Sequence, residues 1–337
     1  MATKNIKILG IDTSCDDTCI TLLEVRGSDF KILSNVVSSQ VKLHAKYGGV
    51  YPFLAKREHQ KNLPVVFKKV LGLARDRQFD LIGVTVGPGL EPCLWQGINF
   101  AKDLAKKFKK PLIPVNHIEA HILANWLMYK NIPLPAMCLV VSGGHTQLIL
   151  MKDIGNYKIL GETRDDAAGE CFDKVARILG LGYPGGPAIA AEAKKFSGGQ
   201  TSTSLPRPMI HQKNYDFSFS GLKTAVLYKV RSEKYNKIAM AVEVQQAIID
   251  VLIHKTLKAA KDYKVKSIIL GGGVAANDEL RKQFKEKIKK EIPDFRFQIP
   301  DSKSCTDNAV MIAIAAYFHR LERKSGQDIK ANANLKI

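Results

Sequence analysis

The sequence predicts an α/β protein in which one plan of strands and helices occurs twice. A strand, a polar turn and a second strand occupy residues 8–25, and the same pattern returns over residues 137–152. Later, a strand runs into a glycine turn, a helix and another strand over residues 81–115 and again over 267–299. Strand, glycine turn, helix and strand form a parallel crossover unit. The chain is therefore expected to fold into two α/β lobes.

The second copy of this plan is longer than the first. Asp12 and Ser142 stand at the matching polar turns, 130 residues apart, whereas Gly87 and Gly271 at the matching glycine turns are 184 apart. About 54 extra residues therefore lie in the second copy, between roughly residues 155 and 237. Glycine, proline and serine punctuate this segment, which indicates irregular functional loops more than a regular core.

We expect a first lobe over residues 1–132 and a second lobe over 133–337, whose last helix could pack on the first lobe. Ligands of such sheets bind beyond the carboxyl ends of the strands, in a cleft. The turn Ser142-Gly143-Gly144 offers unobstructed backbone N–H groups to a phosphate, and Gly271-Gly272-Gly273 precedes a helix. Together these turns favour a nucleotide or adenylate ligand.

Composition narrows the class of protein. The 337 residues carry a formal net charge of +19, which either aids solubility or attracts a polyanion such as nucleic acid. No apolar run approaches the roughly 20 residues that a membrane span needs, so no membrane partner is expected. The six cysteines are scattered without a C-x-x-C pair, and a reducing cytoplasm is the expected compartment.

His117 and His121 are the first candidate ligands of a metal ion. On a helix they lie one turn apart and share a face, which makes half of a divalent-metal site. Glu119 does not stand where the zinc-protease motif H-E-x-x-H has its general base, so a metallopeptidase is disfavoured. It is better placed to orient a histidine ligand. Taken alone, the pattern also fits two ordinary surface histidines.

Asp307 is the candidate third ligand. Adding the 184-residue offset to His117 leads close to it, and it opens an apolar helix over residues 309–318. An aspartate in this place is also a common helix N-cap. By pseudo-symmetry we expect its carboxylate to come from the second lobe and to face the histidines across the cleft. Two histidines and one aspartate suit Fe(II) or Zn(II), although Cys305 could be the ligand instead.

The chain resembles, over nearly its whole length, the TsaD family of the bacterial and organellar type, the catalytic subunits of tRNA threonylcarbamoyladenosine synthesis. The motifs that carry the resemblance are long and occur in the same order. They cover residues 10–18, 47–50, 87–90, 117–121, 140–148, 165–174, 183–187, 216–224, 271–277 and 305–308.

The resemblance implies a two-lobed actin/hexokinase/heat-shock-type ATPase fold with duplicated ribonuclease-H-like lobes and an insertion in the second lobe. It also implies a reaction, which transfers the threonylcarbamoyl group from threonylcarbamoyl-AMP to the N6 amine of the tRNA adenosine beside the anticodon. That adenosine is position 37 of tRNAs that read ANN codons, and AMP is released. One divalent metal per subunit is implied, with Fe(II) favoured and Zn(II) as the alternative.

Carried over by motif, the implied metal ligands are His117, His121 and Asp307. No residue is a convincing general base, and the catalytic residues stay unassigned. The implied partners besides tRNA are a smaller paralogous subunit (TsaB-like) and an ATPase subunit (TsaE-like). The implied substrate contacts are Val140, Val141, Ser142, Gly143, Gly144, Asp173, Gly186 and Asn277.

Two places depart from the family pattern. Asp12 stands where many relatives carry glutamate, and residues 90–97 replace a run of small apolar residues in a region that the resemblance connects with the smaller partner. Two other functions stay open at this point. A kinase or ATPase of the same fold would leave the histidines and Asp307 without a role, and a non-catalytic scaffold of a tRNA-modifying complex would explain only the charge.

Overall fold

The computed structural model describes residues 5–74, 78–198, 203–232, 234–321 and 328–337. It divides into two compact units. One contains the chain up to Asn131 and again from Asp307 onward, and the other is Ile132–Thr306. The chain thus leaves the first unit once and returns to it, and its last helix belongs with the first unit.

The first unit is built on one five-stranded sheet in the order β3-β2-β1-β4-β5. The pairs β1–β2 and β2–β3 are antiparallel, whereas β1–β4 and β4–β5 are parallel. The strands are β1 (Ile6–Asp12), β2 (Thr18–Arg26), β3 (Asp29–Ser38), β4 (Leu81–Gly87) and β5 (Leu112–Asn116). The helices of its N-terminal part are α1 (Val41–Ala45), α2 (Pro52–Leu73), α3 (Glu91–Phe108) and α4 (His117–Leu123), the last followed by a 3-10 turn, Ala124–Leu127.

The second unit repeats this sheet in the order β8-β7-β6-β9-β10. The pairs β6–β7 and β7–β8 are antiparallel, whereas β6–β9 and β9–β10 are parallel. Its strands are β6 (Ala136–Val141), β7 (Thr146–Asp153), β8 (Asn156–Glu162), β9 (Ser267–Gly271) and β10 (Arg296–Gln298). Its helices are α5 (Ala168–Ile178), α6 (Gly185–Ala193), α7 (Ser220–Ser232), α8 (Lys237–Asp262), α9 (Asp278–Glu291) and α10 (Ser302–Cys305). The duplicated plan predicted from the sequence is confirmed.

The segment expected to form irregular loops is more regular than predicted. Strand β8 belongs to the sheet, and three helices, α5 to α7, follow it. Helix α5 buries Phe172 and Val175 against the core of the unit. Gly180 and Gly182, both with positive φ, end this helix, and Pro184 is the N-cap of α6. The glycines and prolines therefore mark the ends of helices and not irregular loops.

Helix α11 (Ala309–Phe318) lies against β1 and β4 of the first unit, and its first eight residues are buried. Glycines in both strands allow this close approach. A Cβ atom at Gly10 would collide with the carbonyl oxygen of Ala309, and one at Gly83 would lie 2.6 Å from the Cβ of Ala316. Small residues on helix and sheet thus fix how α11 seats on the sheet.

The segment 328–337 returns to the ends of β4 and β5. The backbone N–H of Asn332 donates to the carbonyl of Val86 (2.8 Å) and that of Gly89 to the carbonyl of Ala333 (3.2 Å). The side-chain amide of Asn116 donates to the carbonyl of Lys336 (3.1 Å).

None of the helices in the described ranges is long and apolar enough to span a bilayer. All six cysteines are free thiols.

The packing of α11 predicts a clear difference between two glycine substitutions. Gly10→Ala should lower the free energy of unfolding by about 1–3 kcal/mol or more, because the new methyl group meets the backbone of α11. Gly72→Ala, in an open position of α2, should be neutral or stabilising. Urea unfolding of both variants measures this, and an unaffected Gly10→Ala protein would contradict the close contact.

Candidate metal centre

Helix α4 carries both histidines of the H-x-x-x-H pattern. Asn116 caps it, since its Oδ1 accepts hydrogen bonds from the backbone N–H groups of Ile118 (2.8 Å) and Glu119 (3.2 Å). The rings of His117 and His121 lie 4.6 Å apart between centroids. Both side chains are buried. The structure therefore sets aside the alternative of two ordinary surface histidines.

Asp307 brings a carboxylate to these rings. Its Oδ1 lies 3.2 Å from Nε2 of His121 and 3.5 Å from Nε2 of His117. Possible ligand atoms of the three residues all lie within 4.8 Å of one another. The N-cap of α11 is Asn308, whose side chain accepts from the backbone N–H of Met311. The carboxylate of Asp307 is therefore available to the histidines.

Two details differ from the expectation. Asp307 belongs to the same compact unit as the histidines, so the prediction that it comes from the opposite lobe was wrong. The physical reason is the apolar helix α11, which buries its small side chains against the sheet of the first unit. Cys305, the alternative ligand, lies in the second unit, where its Sγ is 3.5 Å from Nη1 of Arg281. It is outside the cluster.

The centre attracts positive charge. Burial lowers the pKa of His117, but the carboxylates of Asp307 and Asp12 outweigh burial and raise it to about 9. For His121 burial prevails and lowers the pKa. Burial would raise the pKa of Asp307, but the two histidines hold it well below its usual range. A divalent cation would supply the favoured positive charge while both imidazoles are neutral.

The buried nitrogens also fit a metal ion. Nδ1 of His117 and Nδ1 of His121 are buried and have no hydrogen-bond partner among the described residues, whereas Nε2 of His121 lies 3.2 Å from Oδ1 of Asp307. A neutral imidazole has a lone pair on only one of its nitrogens, and a cation beside the Asp307 carboxylate would take it from Nε2 of each ring. Two imidazoles and a carboxylate, with positions left for a substrate, form a donor set suited to Fe(II) or Zn(II).

Asp12 is the residue of this centre that the sequence did not reveal. Its Oδ1 accepts hydrogen bonds from Oγ1 of Thr85 (2.7 Å) and from the backbone N–H of Ser14 (3.1 Å). Its buried Oδ2 faces Nδ1 of His117 at 3.7 Å. A carboxylate behind a ligating histidine fixes the ring orientation. Asp12 ends β1, and β1 lies two strands from β5, which leads directly into His117. This position at the end of a strand was the signal from which the sequence could have indicated Asp12.

Glu119 has a different partner from the one expected. Its Oε1 lies 2.9 Å from Nε2 of His319, directly after α11. On a helix, position 119 projects away from the face shared by 117 and 121. Glu119 thus connects α4 with the end of α11, and Asp12 takes the orienting position that had been assigned to Glu119.

The predicted substrate contacts lie in the second unit. Ser142, Gly143 and Gly144 form the turn between β6 and β7. The side chains of Val140 and Val141 are buried, so only the backbone of these two residues could contact a substrate. The backbone N–H of Gly169, at the start of α5, donates to the carbonyl of Ser142 (3.2 Å).

Two of the remaining predicted contacts, Asp173 and Asn277, already make hydrogen bonds within the unit. Asp173 on α5 accepts from the backbone N–H of Gly185 (2.6 Å), next to Gly186. Asn277 caps α9, donates to Gln245 (2.9 Å), and is preceded by a 3-10 turn, so the glycine run does not lead directly into the long helix.

Glycines of two kinds occur in this unit. Gly272 has a φ of +88° and a Cβ there would collide with Val141, so the fold itself requires glycine. At Gly143, Gly144, Gly186 and Gly273 the φ is not positive, and an added Cβ would meet no protein atom within 4 Å. The fold does not explain these four. A ligand lying against the backbone would.

The position of Asp12 predicts an effect on metal affinity. Asp12→Asn retains an oxygen for Thr85 and Ser14 but removes the negative charge behind His117. Affinity for Co(II), measured by spectroscopic titration, should fall about 10- to 100-fold. Asp80→Asn, at an exposed carboxylate that accepts from Lys7, is the matched control and should change nothing. Equal affinity of both variants would exclude the orienting role.

The chain is similar over most of its length to proteins of one family. The family model TsaD, tRNA N6-adenosine threonylcarbamoyltransferase, matches residues 31–314. A protein of Thermosipho africanus named tRNA N6-adenosine threonylcarbamoyltransferase is 50% identical over 336 residues, which cover 98% of this chain and 99% of that protein. One of Clostridium botulinum with the same name is 46% identical, covering 99% and 98%.

Solved structures share the fold at low identity. Component A of the (R)-2-hydroxyglutaryl-CoA dehydratase of Acidaminococcus fermentans has a TM-score of 0.55 at 13% identity, covering 94% of this chain and 99% of its own. Full-length HypF has a TM-score of 0.59 at 11% identity, covering 96% of this chain and 56% of its own. Both have the actin/hexokinase/heat-shock-type ATPase fold, as predicted. On the strength of the family match and the full-length relatives, the chain belongs to the TsaD family.

Proposed function

We propose that the chain transfers the threonylcarbamoyl group of threonylcarbamoyl-AMP to the N6 amine of adenosine 37 in tRNAs that read ANN codons, with release of AMP. The observation that carries this proposal is the cluster that the buried rings of His117 and His121 form with the partly buried carboxylate of Asp307. A kinase or ATPase of the same fold would give this cluster no task. Family membership supplies the acyl group and the acceptor.

The first unit would hold one divalent metal, with Fe(II) favoured and Zn(II) as the alternative. When bound, such an ion polarises a carbonyl or phosphoryl oxygen as a Lewis acid. His117 and His121 provide neutral imidazoles, Asp307 provides a carboxylate, and Asp12 fixes the ring of His117. Their positions are set before substrate arrives, because α4 is buried and both helices are capped. No side chain is assigned as general base.

The second unit would bind the adenylate. The open glycines at 143, 144, 186 and 273 leave room for a ligand directly against the backbone. Ser142 holds the turn, since its Oγ accepts from the backbone N–H of His145 (3.1 Å) and its hydroxyl proton stays available to a phosphate oxygen. Backbone N–H groups in such a turn stabilise negative charge on a leaving phosphate.

The remaining features fit tRNA and protein partners. A net charge of +19 suits a polyanionic acceptor. The cytoplasm is the proposed compartment, because all six cysteines of the chain are free thiols.

Val65 and Leu73 on α2 are 64% and 59% exposed, which supports a binding surface for a smaller paralogous subunit (TsaB-like). The unusual residues 90–97 open the neighbouring helix α3. An ATPase subunit (TsaE-like) completes the proposed set.

Removal of a metal ligand tests the proposal. With its partners, the protein should convert threonylcarbamoyl-AMP and unmodified tRNA to modified tRNA. His117→Ala and Asp307→Asn should each lower kcat by at least about 10³-fold, because Lewis-acid polarisation contributes several kcal/mol. His211→Ala, at an exposed histidine of the second unit, is the control. Full activity of the ligand variants without metal would refute the metal-assisted mechanism.

The same assay separates the other functions. Consumption of ATP with a small substrate and without tRNA would indicate a kinase. Absence of turnover with every metal supplied would indicate a scaffold.

The open glycines give an independent prediction. Gly143→Ala should leave the free energy of unfolding within about 0.5 kcal/mol of the parent, since the methyl group meets no protein atom. The KM for threonylcarbamoyl-AMP should rise about 10-fold or more, because the methyl group occupies ligand space. Gly169→Ala, whose Cβ would lie 2.8 Å from Cα of Gly143, should instead lose stability. An unchanged KM for Gly143→Ala would mean that no ligand lies there.

A further inference from the structure

Two aromatic rings project side by side from the connection between α1 and α2. Tyr47 is 56% exposed and Tyr51 55% exposed, and their ring centroids lie 6.0 Å apart with planes inclined by 30°. The ammonium of Lys46 lies 5.5 Å from the centre of the Tyr47 ring. Folded proteins usually cover such rings at least in part. Neither the metal centre nor the adenylate site uses this pair.

Hydrogen bonds to the buried residue His44 hold the connection that carries the rings in one conformation. His44 is fully buried, its Nε2 lies 3.1 Å from Oε1 of Gln40, and its Nδ1 accepts from the backbone N–H of Tyr51 (3.3 Å). The backbone N–H of Tyr47 donates to the carbonyl of His44 (2.9 Å), and Gly48 turns the chain with a φ of +66°. The rings are therefore positioned before any partner arrives, which reduces the entropy cost of binding.

The segment that carries the rings has charged side chains of one sign only. Residues 30–57 contain no aspartate or glutamate, and the next acidic side chain, Glu58, is paired with Lys61. The basic side chains in the same stretch near the rings are all exposed: Lys42, Lys46, Lys56 and Arg57. Exposed aromatic rings between lysines and arginines are complementary to unpaired nucleotides, whose bases stack while their phosphates meet the cations.

The turn of residues 13–17 in the first unit contacts both Asp12, behind His117, and the residues just before α1. Asp17 in this turn accepts hydrogen bonds from Ser39 and from the backbone of Gln40. Asp16 interacts electrostatically with both His44 and Asp307. His59 of α2 also contacts the turn, with Nε2 2.9 Å from the carbonyl of Cys15. The helix α1 that precedes the rings is thus connected with the candidate metal centre through this turn.

We infer that Tyr47 and Tyr51 form a stacking platform for an unpaired base of the anticodon loop of the tRNA, with the flanking lysines and arginine on its phosphates. The inference rests on the proposed function for the identity of the RNA. It assigns a role to the motif of residues 47–50, which the acyl-transfer chemistry leaves without one. The platform contributes to RNA affinity and not to the chemical step.

The test compares ring removal with ring retention. The double variant Tyr47→Ala/Tyr51→Ala should bind a labelled, unmodified anticodon stem-loop about 10-fold or more weakly, because stacking on an aromatic ring contributes substantially per base. Tyr47→Phe/Tyr51→Phe keeps both rings and should bind within about 3-fold of the parent. Tyr228→Ala, at a 65% exposed tyrosine of the second unit, is the surface control. Thermal unfolding and Co(II) content of each variant verify the fold and the metal centre.

Kinetics distinguish this inference from the proposed function. If the parent transfers the threonylcarbamoyl group, the double alanine variant should show a raised KM for tRNA with kcat at saturating tRNA nearly unchanged. Equal binding by the alanine and phenylalanine variants would overturn the platform even where the parent is active. Unchanged RNA binding with lost association of a smaller paralogous subunit would also overturn it and identify the rings as a protein contact. A parent that binds the stem-loop but transfers nothing would refute the proposed function alone.

Discussion

The seating of α11 on β1 and β4 is the contact on which the metal centre depends. Asp307 immediately precedes this helix, and its distance from His117 and His121 is set by how closely the helix approaches the sheet. Glycines at 10 and 83 permit an approach that any larger residue would prevent. A misplacement of about 1 Å at a catalytic site can cost about two orders of magnitude in rate, so this packing bears directly on chemistry.

The two units contribute different kinds of order. In the first unit the chemistry needs side chains, so helix caps and buried carboxylates hold imidazoles in fixed orientations. In the second unit the glycines at 143, 144, 186 and 273 have no steric reason for being glycine, which fits the ligand proposed for that unit. Duplication of one sheet thus produced two scaffolds with the same strand order and separate tasks.

Much of the fold could be predicted because its signals are local. Apolar runs that end in polar or glycine turns located every strand of the two sheets except β3 and β8, and the i, i+4 histidines lie on one helix face as predicted. The features that were missed depend on tertiary packing. Asp12 meets His117 only through strand pairing, and Glu119 meets His319 only because α11 returns to the first unit. The helices α5 to α7 were missed because the glycines and prolines that mark their ends were interpreted as a sign of irregular loops.

The discontinuous first unit also fixes an order of events during synthesis. His121 and Asp307 stand 186 positions apart, and the whole of Ile132–Thr306 is translated between them. At about 5–20 residues per second, the ribosome needs roughly 10 to 40 s for that stretch. During this interval a nascent chain presents two imidazoles without their carboxylate, and α11 has not yet covered its side of the sheet. The three candidate ligands therefore come together only after the second unit has been translated.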